Sequence, residues 1–592
     1  MTGIDLMAPE IIVGGAGLPD SWKDAVTGLR VEKALCLVGR ATLRFADEGF
    51  KLSGSGKFAL GTTVKIRVHG ARTSSTLLSG LVTGISLEQN ASDSPELVVT
   101  VDDLGHKLAL GTQLKTYLQS TFLDAIKQIA TQAGVQMKAT SKNMTAIVHD
   151  YLLQSGSNLA FLNKTCERAG SVWWVEDDKL TIADVGADVG SVEVTLSDDL
   201  IEFSVRASAL RPGEVTVKGW NANTQQDISE NTSQAAATAS STFVKSYVGS
   251  KPATMAKSTQ STFDLNPKNG ADAKLLATAL YNDLASSAVI AKGRGHVNPD
   301  IKLMTKVKVA GAGPASGTYV VSQVEHIYRK DGFYTRFVAG PIRPGGLVDT
   351  LGPHARDPGF EIDGLLAAVV TQVEDPDKMG RVKVKYAASG STVESAWARV
   401  VGLGVGKQRG SVFQPEVNDE VLVGFERGDA RYPVVLGGLY STANSLPPHA
   451  GPRGDKSNTR TITSRLGHVI EMGDGTGPDA QHLLLMLAGG GHKLRLGADR
   501  FDIEVAQGKP ILIKAGQAKF EIDNQGNVTI QGTKITLKAE SQVSIEGTAG
   551  VEVKSNAKVA LQATMIDVKA NGMATVDGGG QLALKGGIVA IN

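Results

Sequence analysis

Cysteine is nearly absent from this chain: its 592 residues include two, Cys36 and Cys166. Two thiols build neither a disulfide framework nor a metal knuckle, and such usage fits a protein that folds in a reducing cytosol. Charge of a dominant sign is missing too. The 61 basic and 60 acidic residues leave a formal net charge of +1, which excludes the basic surface that draws nucleic acid or anionic membrane. The modest excess of Lys and Arg between Lys251 and Lys308 reads as a solvated face. No apolar run approaches the ~18 residues of a membrane helix. The opening MTGIDLMAPEIIVGG lacks a basic segment followed by an apolar core, so no signal peptide is expected. Synthesis and assembly in the bacterial cytoplasm are the expectation, with any export by a route other than the general one.

Glycine is plentiful, at 68 residues, and short aliphatic pairs alternate with polar turns. That pattern belongs to a mainly β protein, and the length calls for three or more domains. Residues 1–345 read as an α+β region, β-rich with a few helices. Leu60–Val68 and Glu96–Val101 alternate at period two, as half-buried strands do. One helix spans about Thr121 to Ala133, with Thr121 as cap, Asp124 at the capping-box position and Gly134 as stop. A second spans Asn158–Ala169, between Ser157 and Gly170, and places Cys166 in its apolar stripe as a core residue rather than a nucleophile. A third covers roughly Ala271–Ser286. Asn231–Ser241 has little to bury and reads as a mobile loop.

A stretch rich in Pro and Gly separates this region from the next, and residues 346–361 are assigned as a linker. Five short strands then follow within 362–445: Ala367–Val373, Arg381–Tyr386, Ala396–Val401, Glu420–Phe425 and Pro433–Leu439. Five strands in so short a segment suit an OB-fold. Residues 446–515 form a connector and the start of a rod.

From 516 to 592 the chain is periodic. Aliphatic pairs at i and i+2 recur every seven or eight residues: Val528/Ile530, Ile535/Leu537, Val543/Ile545, Val551/Val553, Val559/Leu561 and Ile566/Val568 are the clearest. Phe520/Ile522, Leu582/Leu584 and Val589/Ile591 continue the series, and weaker pairs at Ile503/Val505 and Ile511/Ile513 extend it upstream. Each unit is a short strand with two inward residues and a turn. Two buried aliphatics, at about 1.5–3 kcal/mol each, cannot offset ~1–2 kcal/mol of backbone entropy per residue unless another layer covers them. Either one chain coils so that three strands form a rung, or three chains wrap round one axis. A single-chain coil calls for every third strand to resemble the others. The octads show no such super-period, which favours an intertwined triple-stranded β-helix in a homotrimer, with the twelve residues of those six pairs as its core.

The OB segment resembles a known family. It reads Val373-Glu374-Asp375-Pro376-Asp377-Lys378-Met379-Gly380-Arg381-Val382, then Trp397-Ala398-Arg399-Val400, Pro415-Glu416-Val417-Asn418-Asp419-Glu420, and Gly428-Asp429. This is similar to the OB domain of phage baseplate spikes and VgrG proteins, with Asn418 where that family usually has Gly. Asp375, Pro376, Gly380, Arg381, Pro415, Asp419 and Glu420 are read as turn and strand-end residues. Trp397 is expected to fill the barrel, and Gly428-Asp429 to make a hairpin. Residues 1–345 resemble the hub of VgrG and phage late-control proteins. The likeness lies in Leu97–Leu110, in Gln154–Ile182 with Trp173 and Trp174, in Val215–Trp220, and in Gly317–Val321 with Thr335–Phe337.

The resemblance implies a VgrG-type spike of a contractile injection system. A trimeric hub would meet the inner tube and baseplate, OB barrels would form a collar, and the β-helix would be a needle that punctures the target membrane transiently. A PAAR-like tip protein would cap the end formed by Gly587, Ile588, Val589, Ala590, Ile591 and Asn592, an aliphatic strand whose open edge argues for a cap on physical grounds as well.

Chemistry-bearing groups are sparse, and no enzyme, metal or cofactor is expected. His468 and Glu471 lack the partners of a zinc site. Gly402–Gly406 lacks the phosphate-binding GxGxxG pattern. The short link Leu446–His449 leaves no space for a hydrolase between barrel and rod. With no effector extension in view, a phage-tail-like particle is favoured over a type VI apparatus. Two other classes stand beside the structural spike. In a depolymerising tailspike, acids such as Glu540, Glu546, Glu552 and Asp567 would line a groove; a toxin-carrying spike would need a further domain.

Overall fold

In the computed structural model the described residues are 8–69, 74–89, 94–208, 212–221, 224–248, 259–262, 266–343, 362, 364–387, 394–448, 450, 452–453, 456–476 and 480–591. They form two units, Met1–Ser445 and Leu446–Asn592. The expected linker, 346–361, lies outside the described residues.

The first unit is built on a long, mostly antiparallel sheet. Its path runs from Leu200–Ala207 through Val289–His296, Gly332–Ala339, Gly317–Arg329, Val26–Ala34, Arg40–Ala46 and Glu96–Asp103 to Ser74–Glu88, Thr63–His69 and Glu10–Val13. Period-two alternation explains why these segments pair. In Arg40–Ala46 every second residue (Ala41, Leu43, Phe45) is fully buried, while the intervening arginines reach outward. One core gathers round Trp22, Phe45 and Phe58, whose rings meet at 5.2–5.4 Å. The other packs Phe122, Ile126, Phe161, Cys166 and Trp173 against the sheet. Both cysteines are buried and unpaired.

The helices begin and end where the sequence signals them. Phe122–Gln132 is capped by Thr121, whose hydroxyl accepts the Asp124 amide at 3.2 Å. Asn158–Ala169 starts at Ser157 and stops at Gly170 in the left-handed region (φ 65°). Gly270–Ser286 is capped by Asn269. Of the segment read as a mobile loop, Asn231–Ser241, the two ends are corrected, while residues 233–238 carry no helix or strand. Gln226–Thr232 is a strand, and Ala239–Ser241 pairs with Gly317–Tyr319. Backbone ladder bonds hold these small polar residues, and those bonds do not depend on side-chain burial.

The OB barrel has the strand order Lys383–Tyr386, Leu366–Gln372, Glu420–Phe425, Pro433–Gly438 and Arg399–Val400, and a bridge between Val382 and Ala398 closes it. Its core does not belong to it alone. Tyr151 and Leu153, on the hub strand His149–Gly156, lie in the same apolar cluster as Val370, Val384, Tyr386 and Val423.

Beside that shared core sits a buried polar joint. The Asn266 carbonyl accepts from Arg168 Nη2 (3.4 Å) and Arg431 Nη2 (3.2 Å), and the Asn266 amide donates to the Glu426 carbonyl (3.0 Å). Arg168 pairs with Asp272 at 3.4 Å and Arg431 with Asp429 at 2.6 Å. Burial works against ionisation of Asp272, but the Arg168 and Arg431 guanidiniums outweigh it and hold its pKa below the ordinary range. Burial, reinforced by the Arg431 charge, pushes His149 down to about 3, so this imidazole is neutral.

The second unit opens with a five-stranded antiparallel meander: Thr459–Thr463, Val469–Asp474, Gln481–Met486, Lys493–Gly497 and Phe501–Glu504. A three-stranded antiparallel sheet follows, Ile511–Ala515, Ala518–Ile522 and Val528–Gln531. The first two octads therefore pair within the chain instead of extending as independent rungs. Turn chemistry is the reason. Gly516 adopts φ 58°, and the Asp523 carboxylate accepts the Gln525 and Asn527 amides, both at 2.8 Å, so the chain reverses at each point. Among the described residues no strand is formed within the chain after Gln531.

The shared core makes a specific demand on Leu153. Leu153→Ala should lower the stability of the first unit by about 2–4 kcal/mol, through lost burial and a residual cavity. Thermal and denaturant unfolding would measure it, with barrel fluorescence from Trp397 responding along with the hub.

Candidate functional site

From Ile535 onward each octad presents its aliphatic pair in the same way. The first member (Ile535, Val543, Val551, Val559, Ile566) is 52–56% exposed and the second (Leu537, Ile545, Val553, Leu561, Val568) is 68–79% exposed. Val528 and Ile530 differ, since they pair in the antiparallel sheet with Ile522 and Phe520, yet both also remain more than half exposed. The twelve residues thus form one long apolar stripe that the described residues leave more than half exposed. At its end Ile588 is 92% exposed, and Val589 and Ile591 are likewise exposed, among Gly587 and Ala590. Asn592 lies outside the described residues. A monomeric protein rarely leaves so extended an apolar stripe in water.

The acids weighed for a tailspike groove stand on these octads without converging. Glu552 pairs with Lys554, and Asp567 with Lys569 at 2.9 Å, each two residues further along the chain. Exposed pairs of this kind add little stability and serve to keep the flanks of the stripe charged. His468 and Glu471 are not brought together. His468 Nδ1 accepts the Ala488 amide at 3.0 Å, whereas Glu471 meets His482 Nε2 at 2.9 Å.

The OB residues act as turn and anchor groups. The enclosed Asp375 carboxylate receives Arg381 Nη2 at 2.6 Å, Arg381 Nε at 3.0 Å, and the amides of Asp377 (3.0 Å), Met379 (2.9 Å) and Arg381 (3.2 Å). The Arg381 bonds, joined by those amides, hold its pKa far below the usual carboxylate range. Pro376 starts the turn, and Lys378 and Gly380 complete it at φ 55° and 72°. After Pro415, the Asp419 carboxylate accepts the Glu416 amide at 2.7 Å and Asn418 takes φ 76°, so asparagine fills the left-handed position where the family usually has glycine. Glu420 opens the next strand.

Two readings are corrected. Trp397 does not fill the barrel: it is half-buried, and Lys383 and Arg381 lie 5.3 and 5.8 Å from its ring. Strand alternation turns its neighbour Ala398 inward instead. Gly428-Asp429 is not a two-residue hairpin. A 3-10 turn, Glu426–Gly428, makes the connection, and Asp429 anchors the buried Arg431. Asp429 and Arg431 stand two residues apart, but the Asn266 carbonyl that Arg431 reaches lies 165 residues upstream, so the joint had no local signal. The OB loop between Val401 and Val417 also exposes Leu403, Val412 and Phe413.

Comparison with known proteins fits this arrangement. Residues 366–440 match the model of the type VI secretion system/phage-baseplate injector OB domain. Residues 3–330 match the model of the Alg8 N-terminal domain. Among curated proteins, the chain is 34% identical over 166 residues to the type VI secretion system spike protein VgrG5 of Pseudomonas aeruginosa, covering 26% of this chain and 20% of that one. It is 32% identical over 111 residues to the spike protein VgrG3 of Vibrio cholerae, covering 17% and 11%. The chain thus spans a fifth or less of the length of these relatives. Among solved structures, an Escherichia coli type VI secretion component, described as similar to the T4 tail proteins gp27 and gp5, aligns with TM-score 0.44 at 16% identity, over 70% of this chain and 96% of that one. A chain of the lidded PdpA-VgrG complex of Francisella aligns with TM-score 0.48 at 9% identity, over 89% of this chain and 80% of that one.

Asp375 offers a direct test of the barrel. Asp375→Asn should cost about 2–4 kcal/mol, because it strands Arg381 and several amides around a poorer acceptor. Since the folded pKa is depressed, the wild-type contribution is complete above the ordinary aspartate value near 3.8 and is lost as pH falls through the lower folded value. Denaturant titrations at pH 7 and pH 3 would show a smaller difference between wild type and variant at the lower pH.

Proposed function

The chain belongs to the Alg8 N-terminal domain family, and on that premise we propose that it is the central spike of a contractile injection system. Three copies share one axis. The hub meets the inner tube and baseplate, the OB barrels form a collar, and the C-terminal octads wind into a triple-stranded needle that pierces the target envelope. The carrying observation is the stripe from Ile535 to Ile591, which leaves its aliphatic pairs uncovered and unladdered within the chain, behind an OB domain of injector type. A single-chain coil would stack its strands on one another, and no such in-chain pairs run through the described residues of this segment. Three chains supply those partners and cover the stripe together.

The role is mechanical and carries no catalytic step. In support, Asp375, Asp429, Glu471, Glu552 and Asp567 are all engaged in structural pairs. The exposed end at Ile588–Ile591 fits a small PAAR-like tip protein with a flat apolar face. The loop carrying Leu403, Val412 and Phe413 fits contacts between neighbouring barrels. Contact with the target membrane is transient, and no nucleic acid takes part. Assembly in a reducing bacterial cytoplasm belongs to the same proposal, supported by two buried thiols that stay unpaired. A phage-tail-like particle is preferred to a type VI apparatus.

The mass in solution tests the reading. The full chain should run near three times 61.9 kDa, and removal of residues 532–592 should make that trimer dissociate at micromolar concentration or unfold at markedly lower denaturant. A monomeric full-length chain would sink the proposal.

A further inference from the structure

The octads from Ile535 to Ile591 follow one plan with one exception. In the proposed trimer both members of each aliphatic pair face the common axis, and the first is the more sheltered even in one chain. From Ile535 to Val568 the first members are 52–56% exposed and the second 68–79%. The first members run Ile535, Val543, Val551, Val559, Ile566, Ala574, Leu582 and Val589, at steps of seven or eight residues. Ala574 is in phase. It stands eight residues after Ile566 and eight before Leu582, and its companion Val576 is 74% exposed, as second members are. Yet it is the one first member that ends at a methyl group.

Three copies of Ala574 then meet at one level of the needle, where every other level brings together three valines, isoleucines or leucines. Full levels on both sides hold the strands to their path, so the backbone cannot close in. Lost burial and unfilled space both weaken that level. The flanking chain adds an entropic cost. Asn571-Gly572 leads in and Gly578-Gly579-Gly580 leads out, with Gly579 at φ 54°. Between Lys534 and Lys569, by contrast, the glycines are Gly547 and Gly550. Glycine loses the most conformational freedom when a chain is ordered. Beyond these turns Leu582/Leu584 and Val589/Ile591 supply large side chains again. The weak level is therefore internal, with well-filled levels on either side, which ordinary fraying of a chain end does not produce.

We propose that the needle yields at the Ala574 level, so that residues 570–592 open as a unit of their own while the shaft from Ile535 to Val568 stays wound. The inference rests on the trimer reading above. In a stacked array stability is a sum of unit terms and nearest-neighbour terms, and one weak interface divides the array into two cooperative parts. The part that opens carries Ile588 to Ile591, the exposed apolar end. Load or heat acting on that end is released at one level, and the separation does not run back along the shaft.

Hydrogen–deuterium exchange on the full-length protein, read peptide by peptide by mass spectrometry, tests this. Amides of residues 570–592 should exchange together, at least about tenfold faster than those of 543–568, with a step between the two. Ala574→Val fills the level and should slow exchange across 570–592 by a similar factor, leaving 543–568 unchanged. Val559→Ala empties a second level and should bring the step upstream to that residue. The proposal fails if exchange rises smoothly toward Ile591 without a step. It fails equally if Ala574→Val leaves the end as fast or faster, or if Val559→Ala leaves the step in place. The solution mass, read first, keeps the two readings apart. A monomer unprotected throughout 532–592 refutes the trimer itself, whereas a trimer without the step refutes the yielding level alone.

Discussion

The whole architecture follows from one shortage. An octad is too short to bury more than two aliphatic side chains, and a ribbon of octads has no second face of its own. The aliphatic pairs from Ile535 onward are accordingly left in water by the isolated chain, although every one of them belongs in a core by its chemistry. In the proposed trimer, copies of the same ribbon cover them. Upstream, the meander and the OB barrel fold by ordinary in-chain pairing. The hub is larger and carries two cores.

Much of this was legible in the residues because the signals were local. Capping groups such as Thr121, Ser157 and Gly170 mark helix ends within a few positions, and the OB strands follow from alternation between Pro, Gly and Asp turns. The octad stripe was legible for the same reason, since a repeat shows itself without any long-range contact. Where reading failed, the deciding partner was distant in sequence or the competition was subtle. Ala239–Ser241 forms a strand because Gly317–Tyr319 offers it an edge. Trp397 yields the interior to Ala398, a choice set by strand phase and not by hydrophobicity. The first two octads look like all the others, yet Gly516 and Asp523 turn the chain back on itself.

The buried joint at Asn266 had no local signal at all. Arg168, Asp272 and the Asp429–Arg431 pair come from three separate stretches of the first unit, and each alone reads as a surface charge. Buried ion pairs of this kind contribute little net stability against apolar replacements, but they penalise strongly any arrangement that leaves one partner alone. Their effect is to exclude misplacements of the barrel, while Tyr151, Leu153 and the barrel valines supply the apolar burial.

Sharing a core also constrains how such a chain can diversify. The stretch rich in Pro and Gly is the border a genetic crossover would respect, but the packing border lies elsewhere, because the hub strand His149–Gly156 completes the interior of a barrel more than 200 residues downstream. A recombinant that exchanged everything beyond residue 361 would inherit a barrel whose Val370, Val384 and Val423 had been shaped against a different tyrosine and leucine. Lineages of this fold would therefore be expected to exchange needles freely beyond the barrel, while hub and barrel travel together.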